Sequence, residues 1–246
     1  MYRMVIRVYS FDLDSLLRFT PPKLLCERCF ALLTEFDGCC PVCGVRYLAT
    51  EEFAASSLYL AHKGLDIHYD DLITHCQALA KIARRTRESL AAPEPFYPPM
   101  RALFAALQCA QHFVHFTTYG ISALLLGALK LTAQRIDVRG VVSGIKTDTM
   151  IHELSDYADE APRLNIRLYP NESQYFPHQK IIVVDGLLAF KGSANMTDFG
   201  WRKAAHGREV IEPVTDVAEV VDLHNRFFSP VWAGDASNDK ILMTAY

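Results

Sequence analysis

The sequence lacks an apolar stretch long enough to cross a bilayer. The longest apolar run, Ile121 to Thr132, is interrupted by Lys130 and is shorter than the ~20 residues that a membrane-spanning helix needs. The N-terminal stretch carries charges of both signs and has no unbroken apolar run of the secretory type. We therefore expect a cytoplasmic protein that has no membrane partner.

The sequence also lacks an excess of charge of one sign and any internal repeat. It has 25 Lys and Arg against 28 Asp and Glu, which gives a net charge of −3. Any surface that binds nucleic acid must therefore be local rather than a property of the whole chain. With 246 residues, half of them hydrophobic, the chain can build a sizeable core without disulfides.

Four of the seven cysteines form two closely spaced pairs. Cys26 and Cys29 are separated by two residues, as are Cys40 and Cys43, and ten residues lie between the pairs. Paired C-x2-C knuckles are typical of structural zinc sites, so we predict a small zinc ribbon at about residues 21–48. The alternative is a set of reduced cysteines that bind no metal.

The remaining chain reads as a helical segment followed by alternating strands and helices. A helical pattern from Glu51 to Leu90 ends at the stretch Ala91 to Met100, which contains four prolines and marks a boundary. The alternation after this stretch predicts an α/β sandwich. We accordingly divide the chain into an N-terminal module at 1–92, with the ribbon and the helical segment, and a catalytic domain at 99–246.

The most informative stretch is HQKIIVVDGLLAFKGSAN, from His178 to Asn195. Two apolar strands flank Asp185-Gly186, a pair suited to a hairpin turn. Side chains on a strand repeat every two residues, so His178 and Lys180 share one face of the first strand, and Ser193 and Asn195 share one face of the return strand. These four polar residues should meet at the open end of the hairpin and form an anion site.

This pattern resembles the signature of the phospholipase D superfamily. His178, Lys180, Asp185, Gly192, Ser193 and Asn195 match its fixed positions. The elements from about Met100 to Trp232 are similar to the family's domain, whereas the ribbon lies outside the resemblance. The resemblance implies a phospholipase D-like α/β/α sandwich, preceded by the zinc ribbon and the helical segment.

The resemblance also implies the roles of the candidate catalytic residues. His178 would attack phosphorus and form a phosphohistidine, and Lys180 and Asn195 would hold the phosphate. Ser193 would support the same pocket, and Asp185 would act at the turn, more structurally than chemically. Glu209, on a following strand, is the candidate for holding the far ring nitrogen of the histidine, which fixes its tautomer.

The sequence contains one His-x-Lys pair, whereas the family's chemistry uses two histidines. A homodimer would supply the second histidine about a twofold axis. Similar single-motif members include nucleases, so we predict a nuclease with structural zinc and no catalytic metal. Its substrate would be nucleic acid, DNA in preference to RNA.

The added zinc module suits a restriction or anti-phage role, with other subunits of a defence complex as partners. Two alternatives stay open. The first is a phospholipase or phosphatidyl transferase that acts on lipid, and the second is a non-catalytic subunit that binds nucleic acid.

Overall fold

The centre of the structure is a single sheet. A computed structural model describes residues 26, 28–32, 40–44, 69–91, 98–143, 161–168 and 180–233. Within this part of the chain the sheet has six strands in the order β3-β2-β1-β4-β5-β6. The strands are β1 (Phe113–Thr118), β2 (Asp137–Val142), β3 (Leu164–Leu168), β4 (Lys180–Val184), β5 (Leu188–Gly192) and β6 (Ile211–Val214).

The directions of the strands bring four chain segments to one edge of the sheet. Strands β1, β2 and β3 are parallel, whereas β4 is antiparallel to β1, β5 to β4, and β6 to β5. The end of β1, the start of β4, the end of β5 and the start of β6 therefore lie side by side. We call this the site edge, because the candidate polar residues lie at or beside these strand ends.

Helices cover both faces of the sheet. On one face lie α1 (Tyr69–Ala91), α2 (Pro98–Cys109), α3 (Ala123–Ala133) and α4 (Asp198–Ala205). Their buried residues Leu79, Leu103, Leu125 and Trp201 share a core with Ile182 and Phe190 of the hairpin. The other face carries α5 (Val217–Leu223), a π-helical turn (His224–Phe228) and α6 (Ser229–Ala233). The predicted α/β/α sandwich is confirmed, and none of the described helices has the length and hydropathy to span a membrane.

Some elements differ from the sequence-based expectation. Helix α4 was not predicted, and the helical region from Val217 to Ala233 is divided by the π-helical turn. The hairpin loop has three residues rather than two, since Val184 pairs with Leu188. Of the helical segment expected from Glu51 to Leu90, residues 51–68 lie outside the described residues.

Helix α1 packs in the same core as the sheet. Cys76, Leu79 and Ala83 are buried against α2 and the hairpin strands. At its far end, the Arg87 guanidinium donates a hydrogen bond of 2.8 Å to the carbonyl oxygen of Pro213, on the edge strand β6. The division of the chain at residues 92 and 99 stays a prediction.

The first cysteine knuckle is docked on the opposite face of the sheet, against the π-helical turn. The Asn225 side chain pairs with the backbone of Leu32, accepting from its N–H at 2.7 Å and donating to its carbonyl at 2.6 Å. Phe30 packs in the core of this face, and the Arg139 guanidinium lies 4.0 Å from its ring centroid. The knuckle is therefore fixed to the sandwich by polar and apolar contacts.

Candidate functional site

The register of the hairpin brings the polar residues of the motif together. Lys180, the first residue of β4, pairs with Gly192, the last residue of β5. Ser193 and Asn195 follow directly, so all three polar residues lie at the site edge. Gly192 has a φ of +153°, and a Cβ built there would lie 2.1 Å from the carbonyl oxygen of Val210. Only glycine allows the chain to pass this close to the segment before β6.

Ser193 connects the hairpin to the segment that leads into β6. Its hydroxyl donates to Glu209 Oε2 at 2.5 Å and accepts from the Val210 N–H at 3.0 Å. Its own N–H donates to the carbonyl oxygen of Val210 at 3.1 Å. Ser193 therefore fixes the carboxylate of Glu209 at the site edge. Glu209 precedes β6 rather than lying on it, because this strand begins at Ile211.

Asn195 is oriented by the end of β1. Its Oδ1 accepts a hydrogen bond of 3.1 Å from the Tyr119 N–H and lies 3.5 Å from Thr118 Oγ1. The same hydroxyl accepts from the N–H of Met196 at 3.0 Å. Because the amide oxygen is engaged, the group that Asn195 can offer to an anion is its Nδ2 donor. Thr118 and Tyr119 are thus parts of the site that the motif alone did not reveal.

Lys180 is almost completely buried, although it carries the site's positive charge. Its neighbours around a small cavity include Phe190, Met196 and Trp201. Burial lowers the pKa of Lys180, and the charge of Glu209 acts in the opposite direction. A desolvated ammonium interacts more strongly with an oxyanion than one in water does, so this lysine is well placed to bind phosphate.

His178 lies outside the described residues, two positions before Lys180. Its role as the nucleophile, and its contact with Glu209, therefore stay predictions. What the structure adds is the position of Glu209, whose carboxylate accepts a hydrogen bond from Ser193 at the open end of the hairpin.

Asp185 lies at the other end of the hairpin, about 16 Å from Lys180 at ~3.3 Å per strand residue. It has a φ of +55° and is fully buried. Its carboxylate accepts hydrogen bonds of 2.8 Å from the backbone N–H groups of Gln111, His112 and Phe113, and lies 2.8 Å from His75 Nε2. This residue therefore anchors the turn to the start of β1 and to α1, and is remote from the site edge.

The four knuckle cysteines converge on one point. Their sulfur atoms all lie within 4.8 Å of one another, and the pairs Cys26–Cys43 and Cys29–Cys40 are each 3.6 Å apart. A tetrahedral zinc with bonds of ~2.3 Å places its sulfur ligands about 3.8 Å apart, whereas a disulfide needs about 2.0 Å. The four thiols can therefore hold a structural zinc.

The crowding of these thiols also favours a cation. The hydrogen bond with Cys26, together with burial, raises the pKa of Cys40 to about 12, although Cys29 acts in the opposite direction. Hydrogen bonding to Cys26 and Cys40 and burial raise the pKa of Cys29 as well. Thiolates this close together need a positive ion between them.

Elemental analysis of the purified protein is expected to find about one zinc per chain, as for a closed four-ligand structural site. Replacing Cys29 with serine should remove this zinc, because serine is a poor ligand in a thiolate site. Cys76→Ala is the matched control, since Cys76 is buried away from the cluster and its loss should leave the zinc content unchanged. Zinc-free protein with four reactive cluster thiols would contradict the assignment.

The family model described as "Cardiolipin synthase, PLD-like domain" matches residues 103–232, which is just over half of the 246 residues. The comparison with curated protein sequences returns no match.

Solved structures with a similar fold include NucT from Helicobacter pylori, at 18% identity and a TM-score of 0.41, covering 58% of this chain and 87% of that one. They also include TrmBL2, an archaeal chromatin protein whose structure is described as showing a novel mode of DNA binding. This second match has 17% identity and a TM-score of 0.38, and covers 54% of this chain and 48% of that one. The extent of the family match, over a sandwich whose hairpin carries the motif at its open end, shows that this chain belongs to the family of phospholipase D-like domains.

Proposed function

We propose that this protein is a phosphodiesterase that cleaves nucleic acid, with DNA preferred over RNA. The reaction would pass through a phosphohistidine intermediate and would need no catalytic metal. The observation that carries the proposal is the convergence of Lys180, Ser193 and Asn195 at one edge of the sheet. A buried ammonium, an oriented amide and a carboxylate-linked hydroxyl form a pocket that suits a phosphate diester.

The chemistry proposed for this pocket has two displacement steps. A ring nitrogen of His178 attacks phosphorus, and the bond from phosphorus to the leaving oxygen breaks as that oxygen takes a proton from the second histidine. Water then attacks the phosphohistidine while the second histidine accepts its proton, and the phosphorus–nitrogen bond breaks. Lys180 and Asn195 would offset the charge that develops on the non-bridging oxygens.

The second histidine is proposed to come from a second copy of the chain. This sequence contains one His-x-Lys pair, so a single chain supplies one histidine of the two that the chemistry needs. A twofold axis at this edge would place two His178 side chains on opposite sides of one phosphate. One neutral and one protonated imidazole can divide the base and acid roles.

A role in restriction or anti-phage defence, in a cytoplasmic complex with further subunits, belongs to the same proposal. Its motivation is the combination of a nuclease-like domain with a ribbon that is fixed to the domain through Leu32 and Asn225. A ribbon held in this way would move with the catalytic domain and could extend its binding surface.

Hydrolysis assays with single-stranded DNA, duplex DNA, RNA and a phosphatidylcholine analogue test the function. We expect cleavage of nucleic acid that persists in a chelator too weak to strip the ribbon zinc, because Lys180 and Asn195 replace a metal at the phosphate. Adding Mg²⁺ should change the rate little. Strict dependence on Mg²⁺, or cleavage of the lipid analogue alone, would refute the proposal.

A further inference from the structure

The site edge carries exposed aromatic side chains that the phosphate chemistry does not use. Five large hydrophobic side chains are exposed in the described part of the chain, namely Tyr119, Leu124, Leu131, Phe199 and Val210. Single exposed apolar residues are common on protein surfaces and need no explanation. Here, however, Tyr119, Phe199 and Val210 belong to the three segments that carry the polar residues of the site.

Tyr119 and Phe199 lie on segments that meet at Asn195. The Tyr119 N–H binds Asn195 Oδ1, and the adjacent Gly120 lies against Thr197, where a Cβ would be 3.9 Å from Thr197 Cγ2. On the other side, a Cβ at Gly200 would lie 2.9 Å from the carbonyl oxygen of Asn195. Tyr119 and Phe199 are therefore each the chain neighbour of a glycine that packs against the segment 195–197.

The exposure of both rings is combined with positive charge. Tyr119 is 38% exposed and Phe199 is 58% exposed. The Lys203 ammonium lies 4.5 Å from the centroid of the Phe199 ring, one turn further along α4. A cation beside an aromatic face is the combination that binds a nucleic-acid base together with its phosphate.

We infer that Tyr119 and Phe199 stack unpaired bases beside the phosphate held by Lys180 and Asn195, so that the substrate is single-stranded nucleic acid. This inference rests on the proposed function and specifies its substrate class. In a duplex the base faces are covered by their neighbours, and exposing one requires extrusion of the base, which costs a few kcal/mol. Unpaired bases are available without this cost, and stacking on aromatic rings tolerates any sequence.

The inference is tested by binding rather than by cleavage. The full-length chain carrying His178→Ala, which prevents turnover, is titrated into a fluorescein-labelled oligonucleotide, either as a single strand or in a duplex. Fluorescence anisotropy at fixed salt should show that the single strand binds roughly 10-fold tighter or more, as expected when base stacking contributes.

Substitutions then separate stacking from other contributions. Phe199→Ala or Tyr119→Ala, made in the same background, should weaken single-strand binding about 5- to 100-fold, as the loss of one base–aromatic stack does. Phe199→Trp and Tyr119→Phe should retain binding, because each keeps an aromatic face. Leu131→Ala is the matched control, since Leu131 is 74% exposed and lies in α3, outside the segments of the site edge. Its affinity should match that of the parent.

Three results would overturn the inference. They are equal affinity for single strand and duplex, unchanged affinity in the alanine variants, and a loss of affinity that accompanies dissociation of a dimer in light-scattering measurements. The last result would assign the aromatic rings to contact between subunits. Protein that cleaves nucleic acid but binds both forms equally would keep the proposed function and lose this inference. Protein that prefers single strands but hydrolyses nothing would keep the assignment of the two aromatic rings to base stacking and lose the proposed function.

Discussion

Replacing His178 with alanine is expected to lower phosphodiester hydrolysis by roughly 10³-fold or more, the effect of removing a nucleophile that no other group replaces. The substitution leaves the Lys180 ammonium and the Asn195 amide in place at the site edge, where they can still bind the substrate. The variant should therefore still bind nucleic acid. Initial rates on a labelled oligonucleotide measure the loss, and circular dichroism shows whether the fold is retained.

His206→Ala is the matched control for this experiment. His206 is exposed in the turn after α4, and we assign it no part in the site. Its replacement should leave the rate of hydrolysis within about twofold of the wild-type rate, as is usual for surface positions. A His178→Ala protein as active as this control would remove the basis for a phosphohistidine mechanism.

Mixing subunits tests whether two histidines act on one phosphate. With excess His178→Ala chains, most wild-type chains would enter mixed dimers that hold a single histidine, so activity per wild-type chain should fall toward that of the variant. Activity should also fall on dilution below the dimer dissociation constant. Co-purification of differently tagged chains verifies that exchange has occurred. Full activity per wild-type chain after exchange would show that one chain is sufficient.

The sequence was informative where the structure depends on local patterns. The hairpin could be predicted because its alternating residues and its turn lie within one short stretch, and the structure places Lys180, Ser193 and Asn195 at its open end. The cysteine cluster could be predicted for the same reason, since each knuckle brings two ligands together through a turn of a few residues.

Other features depend on partners that are distant in the chain. His75 and Asp185 are 110 positions apart in the chain, and Leu32 and Asn225 are 193 apart, so no local sequence pattern predicts either contact. Helix α4 was missed because it has only eight residues, too few for a clear periodicity. Its capping by Thr197, whose hydroxyl accepts from the Gly200 N–H, was the available signal.

The contact between His75 and Asp185 leads to the largest expected effect on stability. Both side chains are buried, at 4% and 0% exposure. His75 has a polar partner at each ring nitrogen, since Nε2 lies 2.8 Å from Asp185 Oδ2 and Nδ1 lies 3.8 Å from Cys109 Sγ. Burial by itself would lower the pKa of His75, but the hydrogen bonds with Asp185 and Cys109, together with the charge of Asp185, outweigh it and raise the pKa to about 9. The imidazole is therefore protonated at neutral pH and forms a buried ion pair.

Asp185→Asn is expected to lower the free energy of unfolding by about 3–5 kcal/mol, the usual cost of leaving one member of a buried pair uncompensated. The asparagine would also direct an N–H₂ group at backbone donors of residues 111–113, which need an acceptor. Urea unfolding followed by circular dichroism measures the change. His206→Gln, at an exposed position, is the control for the corresponding His75→Gln variant and should change stability by less than about 0.5 kcal/mol.

The pH dependence of stability identifies the ion pair itself. The pKa of His75 is raised in the folded state above its ordinary value of ~6.5, so its contribution is complete below about pH 6.5 and is lost as the pH rises through about 9. The whole loss amounts to roughly 3.5 kcal/mol at ~1.4 kcal/mol per pKa unit. Burial alone would raise the pKa of Asp185, but the hydrogen bond and charge of His75 lower it, so its contribution is lost only as the pH falls through that lowered value.

The wild-type protein should therefore lose stability between about pH 6.5 and 9, and His75→Gln should lack this component of the slope. A double-mutant cycle at pH 7 completes the test. If the two residues form a pair, His75→Gln with Asp185→Asn should cost less than the sum of the single changes by at least about 1 kcal/mol, because the second substitution removes a partner that is already uncompensated. Additive effects together with an unchanged alkaline slope in His75→Gln would mean that His75 is neutral in the folded protein. Asp185 would then be held by the backbone amides of 111–113 alone.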